Sequence, residues 1–155
     1  MRKKRSILIV EDEDIIRTTL AEYLQTEGFA VTMASRVAEA LEEAKKQDFD
    51  VAICDVQLPD GDGVHLLRRL HQLNPQLFVL IITAYATVEN AVEAFTAGAY
   101  DYFTKPVMFE DLSNKLERLF QYREMFLENQ GLRRELARSD HFEQIVGSSL
   151  SLIHI

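Results

Sequence analysis

The amino-acid sequence predicts an α/β fold built on an open parallel sheet. Short apolar runs typical of buried strands alternate with longer stretches whose apolar residues recur at helical spacing. Five such strand–helix repeats occupy residues 6 to about 120, and this alternation is the pattern of βαβ units. The length of 155 residues suits one domain with an appendage.

The first two repeats are bounded by residues that end or begin helices. The first strand is predicted at residues 7–10, and the helix after it stops near Gly28. The second strand is predicted at residues 29–33, and Ser35 is placed to cap the helix that follows. The apolar positions of these two helices are Ile15, Ile16, Leu20, Tyr23 and Leu24, then Val37, Leu41 and Ala44.

The third repeat contains the most distinctive loop. Its strand is predicted at residues 51–54 and ends at Asp55, and residues 58–63 form a loop because of their Pro and Gly content. A helix follows and is closed by residues 74–75, which are Asn-Pro. Its apolar positions are Val64, Leu67 and Leu70.

The last two repeats follow the same plan. The fourth strand is predicted from the apolar run at residues 78–82, with Thr83 at its end. Thr87 can cap the next helix, and Gly98 can stop it. That helix carries Val88, Val92 and Phe95. The fifth strand is the weaker run at residues 100–103.

Composition limits the classes of function. A net charge of −8 argues against nonspecific DNA binding by this segment, and the basic residues 2–5 are interpreted as a solvated tail. Cys54 is the only cysteine, which excludes an internal disulfide and fits a reducing compartment. The sequence contains no apolar stretch long enough to span a bilayer. We therefore expect a cytoplasmic protein with no membrane partner.

Four polar residues follow predicted strands: Asp12, Asp55, Thr83 and Lys105. Because the carboxyl ends of parallel strands share one edge of the sheet, these residues should converge where open α/β sheets bind ligands. Taken singly, each has a plain structural explanation as a turn former, helix cap, strand residue or solvated loop residue. Their joint placement in separate repeats favours a functional site.

The acids of this site suit Mg²⁺, which prefers oxygen ligands and needs only one or two carboxylates. Glu11, Asp12 and Asp55 supply carboxylates, and the backbone carbonyl of Gln57 supplies a further oxygen. Acids crowded in this way repel one another unless a cation is present.

Asp55 is the candidate nucleophile, since a carboxylate can attack phosphorus and form an aspartyl phosphate. Catalysis of phosphoryl transfer rests on positioning and charge neutralisation. The ammonium group of Lys105 and the hydroxyl of Thr83 would each contact one oxygen of the phosphoryl group.

These segments closely resemble the receiver domains of two-component response regulators. The matching segments are residues 7–13, 55–63, 81–84 and 99–106, within a region from residue 6 to about 120. The resemblance implies a flavodoxin-like, doubly wound, five-stranded parallel sheet in the order 2-1-3-4-5. It also implies a switch phosphorylated by a sensor histidine kinase, with only self-directed phosphotransfer and dephosphorylation rather than enzymatic turnover.

By this resemblance each site residue has a role. Asp55 is the phosphoacceptor, and Thr83 and Lys105 contact the phosphoryl group. Tyr102, three residues before Lys105, matches the aromatic residue that turns inward when the threonine moves toward phosphate. The implied metal ligands are Glu11, Asp12, Asp55 and the carbonyl of Gln57.

The C-terminal part resembles the linker and the opening of the ATPase domain in NtrC-type, sigma-54-dependent activators, through residues 127–136 and 142–148. The expected domains are a receiver at 1–120, a helical linker that forms a coiled coil at 121–138, and the start of a truncated AAA+ ATPase domain at 139–155. DNA, sigma-54 polymerase and ATP would then be partners only through domains absent from this chain.

The predicted linker helix has a heptad-like seam that favours a homodimer. The seam residues are Leu112, Lys115, Leu119, Tyr122, Phe126, Asn129, Arg133 and Leu136, and the main contacts are expected at Leu119, Tyr122, Phe126 and Asn129. The alternative is an amphipathic helix packed along its own domain, which accounts for the residues up to about 120.

Two other classes of function are alternatives to a receiver. A phosphohydrolase with an aspartate nucleophile commonly carries a second acid at the position of Gln57 and a cap domain, for which the chain has no room. A flavodoxin-like cofactor carrier needs a phosphate loop rich in Ser, Thr or Gly after the first strand, where this chain has acids at 11–14. Both alternatives are less consistent with the sequence than a receiver.

Overall fold

A computed structural model describes the backbone of residues 4–136 and the side chains of residues 4–129. The described part of the chain divides into two compact units, one that ends at Phe109 and one that begins at Glu110, and each is considered below by itself. The expected ATPase opening at 139–155 lies outside the described residues.

Within residues 4–136, five parallel strands form one sheet in the order β2-β1-β3-β4-β5. This is the doubly wound, flavodoxin-like order that the sequence predicts, so the predicted fold class is confirmed. The strands are β1 (Ser6–Val10), β2 (Ala30–Ala34), β3 (Val51–Asp55), β4 (Phe78–Thr83) and β5 (Asp101–Thr104).

A helix follows each strand, as predicted. The helices are α1 (Asp14–Thr26), α2 (Val37–Lys46), α3 (Gly63–Leu73), α4 (Val88–Ala97) and α5 (Phe109–Leu136). Thr87 caps α4 by accepting a hydrogen bond from the amide of Asn90 at 3.0 Å, and Gly98 ends that helix with a φ of 112°. Asn74 closes α3, also as predicted.

The three central strands are covered on both faces. Residues 7–10, 51–54 and 79–82 are at most 1% exposed, which explains why they form continuous apolar runs rather than alternating ones. Cys54 is one of these core residues, and burial raises the pKa of its thiol to about 12. It is therefore a packing residue and not a reactive thiolate.

Ser35 does not cap α2, and that prediction is wrong. Its hydroxyl donates to a carboxylate oxygen of Glu39 at 3.0 Å, so it does not accept from the amides of the helix. The amides of Val37 and Ala38 are instead satisfied by Asp60, far along the chain. A tertiary contact here replaces the local cap.

The burial of apolar residues on α4 and α5 differs from what helical spacing predicts. In α4, Val88, Val92 and Phe95 are exposed and Ala94 is buried, so helical spacing located the helix but not its packed face. In α5, Leu119 is fully buried within the chain. It is therefore unavailable to a partner chain, and the expected dimer contact at Leu119 is corrected.

The helix α5 has 28 residues, which corresponds to about 42 Å at the usual rise. After its buried positions it exposes a run of large apolar side chains: Tyr122, Met125, Phe126 and Leu127. Among the helices that the structure describes, none is long and apolar enough to cross a membrane.

Candidate functional site

The carboxyl ends of four strands meet at one edge of the sheet and bring the candidate residues together. Asp55 is the last residue of β3 and Thr83 the last residue of β4, while Glu11 and Lys105 directly follow β1 and β5. Asp55, Thr83 and Glu11 are the buried polar residues among those described. The fold therefore places these polar side chains at one end of an otherwise apolar core.

Lys105 connects the two buried acids. Its ammonium nitrogen donates to Glu11 Oε1 at 2.5 Å and to Asp55 Oδ2 at 2.8 Å, across 94 and 50 residues of chain. The backbone amide of Lys105 donates to the carbonyl of Thr83 at 2.8 Å, which fixes the start of the loop after β5. The lysine is thus held from both its backbone and its ammonium group.

Burial controls the electrostatics of this cluster. Burial and the neighbouring Asp55 together raise the pKa of Glu11 to about 8, although Lys105 opposes the rise. Burial alone would lower the pKa of Lys105, but its hydrogen bonds to Asp55 and Glu11 outweigh that effect and raise it. The pocket therefore disfavours a second negative charge beside Asp55 and keeps the lysine protonated.

The acids are arranged so that they could hold a cation. One carboxylate oxygen from each of Glu11, Asp12 and Asp55 lies within 4.8 Å of the others. Glu11 Oε2 is buried and has no hydrogen-bond partner among the described residues. A buried oxygen of this kind, next to two further acids, is what a hard cation such as Mg²⁺ satisfies. The residues present therefore fit this metal.

The loop after β3 approaches Asp55 from its other side. The amide of Gln57 donates to Asp55 Oδ1 at 3.1 Å, so both oxygens of the carboxylate have donors. Gln57 belongs to a short ladder, Gln57–Leu58 paired with Gly61–Asp62, where the sequence indicated only a loop. Its backbone lies beside the acidic cluster, where the sequence predicted a carbonyl ligand.

Thr83 and Tyr102 are neighbours behind the site. The Thr83 side chain is 1% exposed, and its hydroxyl oxygen accepts from the amide of Tyr85 at 3.1 Å. The ring of Tyr102 packs against the buried core. Burial raises the pKa of the Tyr102 hydroxyl, and the nearby backbone of Thr87 and side chain of Thr83 offset part of that rise.

Sequence reasoning missed Arg17, which holds the loop that presents the first two acids. One of its guanidinium nitrogens donates to the carbonyls of Glu11 at 2.9 Å and Asp12 at 3.3 Å, and the other contacts the carboxylate of Asp14. No signal in the sequence marks this role, because an arginine in the first turns of a helix is ordinary.

Gly63, the first residue of α3, was also missed. A Cβ atom on Gly63 would lie 2.1 Å from the backbone carbonyl oxygen of Asp55, so the close approach of α3 to β3 requires glycine. The signal was the last Gly of the Asp-Gly-Asp-Gly sequence at 60–63, which we interpreted only as part of a loop.

Comparison with known proteins identifies the family. The model of the response regulator receiver domain matches residues 7–117. The transcriptional regulatory protein ZraR of Escherichia coli is 42% identical over 112 residues, which is 72% of this chain and 25% of that protein. The regulatory protein AtoC of Escherichia coli is 33% identical over 149 residues, 96% of this chain and 32% of that protein.

A solved receiver structure has the same fold as this chain. A receiver domain protein (CheY-like) from Methanospirillum hungatei superposes with a TM-score of 0.75 at 35% identity, covering 79% of this chain and 99% of that one. The chain spans about a quarter of the length of ZraR. The buried acid–lysine cluster, the sheet order and these matches agree, and the chain belongs to the response regulator receiver domains of two-component systems.

Proposed function

We propose that this chain is a phosphorylation-controlled switch that accepts a phosphoryl group from a sensor histidine kinase onto Asp55. The observation that supports this most directly is the environment of the Asp55 carboxylate. It is buried at the end of β3, with donors on both oxygens and Lys105 Nζ at 2.8 Å. Incorporation of phosphate at Asp55 is the test, and it is argued in the Discussion.

In the proposed reaction an oxygen of Asp55 attacks phosphorus, and the bond between phosphorus and the imidazole nitrogen of the donor breaks. The negative charge of the transferring group is met by the ammonium group of Lys105 and the hydroxyl of Thr83 at the same sheet edge. Later attack by water returns the carboxylate and inorganic phosphate. Both steps act on the protein itself, so the chain is a phosphoacceptor switch rather than an enzyme with turnover.

Glu11, Asp12, Asp55 and the backbone carbonyl of Gln57 would hold Mg²⁺ in this pocket. When bound, the metal supplies positive charge that offsets the crowded acids and the incoming phosphoryl oxygens. Its support in this chain is the three-acid cluster and the unsatisfied oxygen of Glu11.

Asp12→Ala is expected to weaken Mg²⁺ binding by about tenfold or more, since loss of even an outer-shell partner commonly weakens metal binding 10- to 100-fold. Stability should change little, because Asp12 is exposed and its removal relieves repulsion in the metal-free pocket. Isothermal titration with Mg²⁺ measures the affinity. Glu13→Ala, which removes the adjacent exposed acid outside the cluster, is the matched control. Equal affinities in both variants would refute the role of Asp12.

Thr83 and Tyr102 are proposed to carry the signal from the phosphoryl group to the surface. The Thr83 hydroxyl is held by the amide of Tyr85, and a move toward phosphate would break that bond. The ring of Tyr102, which packs against the buried core, would then follow the threonine. Phosphorylation would act in this way as a local charge event that biases a two-state element.

The proposed organisation is a receiver at 1–120, a helical linker at 121–138 and the start of an AAA+ ATPase domain at 139–155. The support is the AtoC match, which continues beyond the receiver over 96% of this chain. We propose that the whole protein is a transcription activator of the NtrC type. Contacts with DNA, sigma-54 polymerase and ATP would belong to segments other than this one.

The linker is proposed to pair two chains through Tyr122, Phe126 and Asn129. The aromatic rings of Tyr122 and Phe126 stack with centroids 6.5 Å apart, and both side chains are half exposed. A surface of adjacent aromatic residues on one helical stripe is typical of an interaction site. Asn129, exposed on the same stripe, would fix the register of the pair.

Phe126→Glu is expected to shift the protein from dimer to monomer, because it places two like charges across the seam. Leu127→Glu is the matched control, since it puts the same charge on an exposed neighbour outside the seam. Sedimentation equilibrium at tens of micromolar measures both. A monomeric parent protein, or equal loss of dimer in both variants, would contradict the proposed seam.

A further inference from the structure

Asp60 makes a long-range cap on α2. Its Oδ1 accepts from the amide of Val37 at 2.7 Å, and its Oδ2 accepts from the amide of Ala38 at 3.0 Å. These amides would otherwise lack partners, because the first amides of a helix have none within it. Both oxygens of one carboxylate are therefore engaged across more than 20 residues of chain, and the bond to Ala38 is the main reason that the pKa of Asp60 is lowered.

The loop that carries Asp60 is the one that contacts the phosphoacceptor. Its short ladder pairs Gln57 with Asp62 and Leu58 with Gly61. At one end the amide of Gln57 donates to Asp55 Oδ1, and at the other the amide of Gly63 donates to the carbonyl of Val56 at 2.8 Å. The ladder and these two hydrogen bonds therefore link the segment that carries Asp60 to the backbone of Gln57.

A second contact joins the same two segments. A Cβ atom on Gly61 would lie 3.1 Å from Val37 Cγ2, so the loop passes directly over the first residue of α2. The hydroxyl and amide of Ser35 are engaged by Glu39, which leaves the loop as the supplier of the cap. Two hydrogen bonds and one packing contact therefore join the first turn of α2 to the loop after β3.

We propose that Asp60 is a positioning residue that couples the first turn of α2 to the metal and phosphoryl site at Asp55. Through its cap it holds the Gln57 backbone in place, both the amide on Asp55 and the carbonyl that would face the cation. This rests on the proposed function, since the coupled event is cation binding at Glu11, Asp12 and Asp55.

Asp60→Ala is expected to raise the Mg²⁺ dissociation constant by about fivefold or more, the lower range of coupling between two sites. Isothermal titration with Mg²⁺ measures it. Two controls separate coupling from other effects. Glu39→Ala removes the contact with Ser35 before α2 but leaves the Asp60 cap and the loop intact. Asp62→Asn removes one charge from the same loop while keeping an oxygen for the amide of Val64. Both should retain the affinity of the parent protein.

Coupling is reciprocal, so the parent protein provides a test without any variant. Saturating Mg²⁺ should slow hydrogen exchange at the amides of Val37 and Ala38 by about the factor that Asp60→Ala costs in affinity, and leave the amides at the end of α2 unchanged. Should Asp60→Ala fail to fold, Asp60→Asn, which keeps one acceptor, takes its place in the titration.

The outcomes distinguish the two proposals. If the parent protein binds no Mg²⁺, the proposed function fails and the coupling fails with it. If the parent binds Mg²⁺ but Asp60→Ala binds it equally well, or exchange at Val37 and Ala38 is unaffected by the metal, the positioning role is overturned and the proposed function stands. Equal losses in Asp60→Ala and Asp62→Asn would assign the effect to charge alone and also overturn it.

Discussion

Asp55→Asn is expected to abolish phosphorylation completely. The substitution keeps the shape of the side chain and an oxygen for the amide of Gln57, but it removes the nucleophilic carboxylate. The parent protein, incubated with Mg²⁺ and acetyl phosphate or a phosphorylated histidine kinase, should incorporate phosphate that hydroxylamine releases. The variant should incorporate none. Incorporation at the level of the parent protein would show that another residue is the phosphoacceptor.

Thr83→Ala separates acceptance of phosphate from the proposed switch, since it removes one contact to the phosphoryl group but not the nucleophile. It alters the same buried pocket but leaves the Asp55 carboxylate and Lys105 in place. We expect it to accept phosphate and yet not to change its oligomeric state on phosphorylation. If its phosphorylated form shifts in sedimentation as the parent does, Thr83 does not couple the site to the surface.

Gly63→Ala is expected to damage both stability and the site. A new Cβ would lie 2.1 Å from the backbone carbonyl oxygen of Asp55, a contact between two backbone-anchored groups that no rotamer change can relieve. Overpacking of a well-packed interior typically costs about 1–3 kcal/mol, and this contact belongs at the upper end or beyond. Because the atom displaced belongs to the phosphoacceptor, the rate of phosphorylation should fall with stability.

Gly61→Ala is the matched control two residues away. There the new Cβ would meet Val37 Cγ2 at 3.1 Å, and a side-chain methyl group can move by the few tenths of an ångström required. Urea unfolding of both variants measures the difference in free energy. If Gly63→Ala proves as stable as Gly61→Ala, α3 does not approach β3 as closely as described.

The sequence was sufficient for the fold because strand and helix signals are local. The apolar runs at 7–10, 51–54 and 78–82 each marked a strand, and parallel pairing then sends their ends to one edge. That rule was enough to bring Asp55 and Lys105 together from positions 50 residues apart. The roles assigned to these residues remain predictions.

Contacts that depend on tertiary packing could not be predicted from the sequence. The cap on α2 comes from Asp60 rather than from the nearby Ser35, because the loop after β3 passes over the helix. The burial of Leu119 and the exposure of Val92 on α4 likewise depend on which neighbours cover each face. Helical spacing alone cannot distinguish an apolar stripe that packs within the chain from one that faces solvent.

The position of Lys105 has a consequence for how the chain acquires its structure during synthesis. The strand β1 is made first but lies inside the sheet, and the lysine that bridges Glu11 and Asp55 is made last, directly after the edge strand β5. A nascent chain that ends before β5 would bury two acids with no positive group between them, which is strongly unfavourable. The last strand therefore completes the charge balance as well as the sheet. Until it emerges, or a cation takes its place, the acidic end of the sheet should stay open.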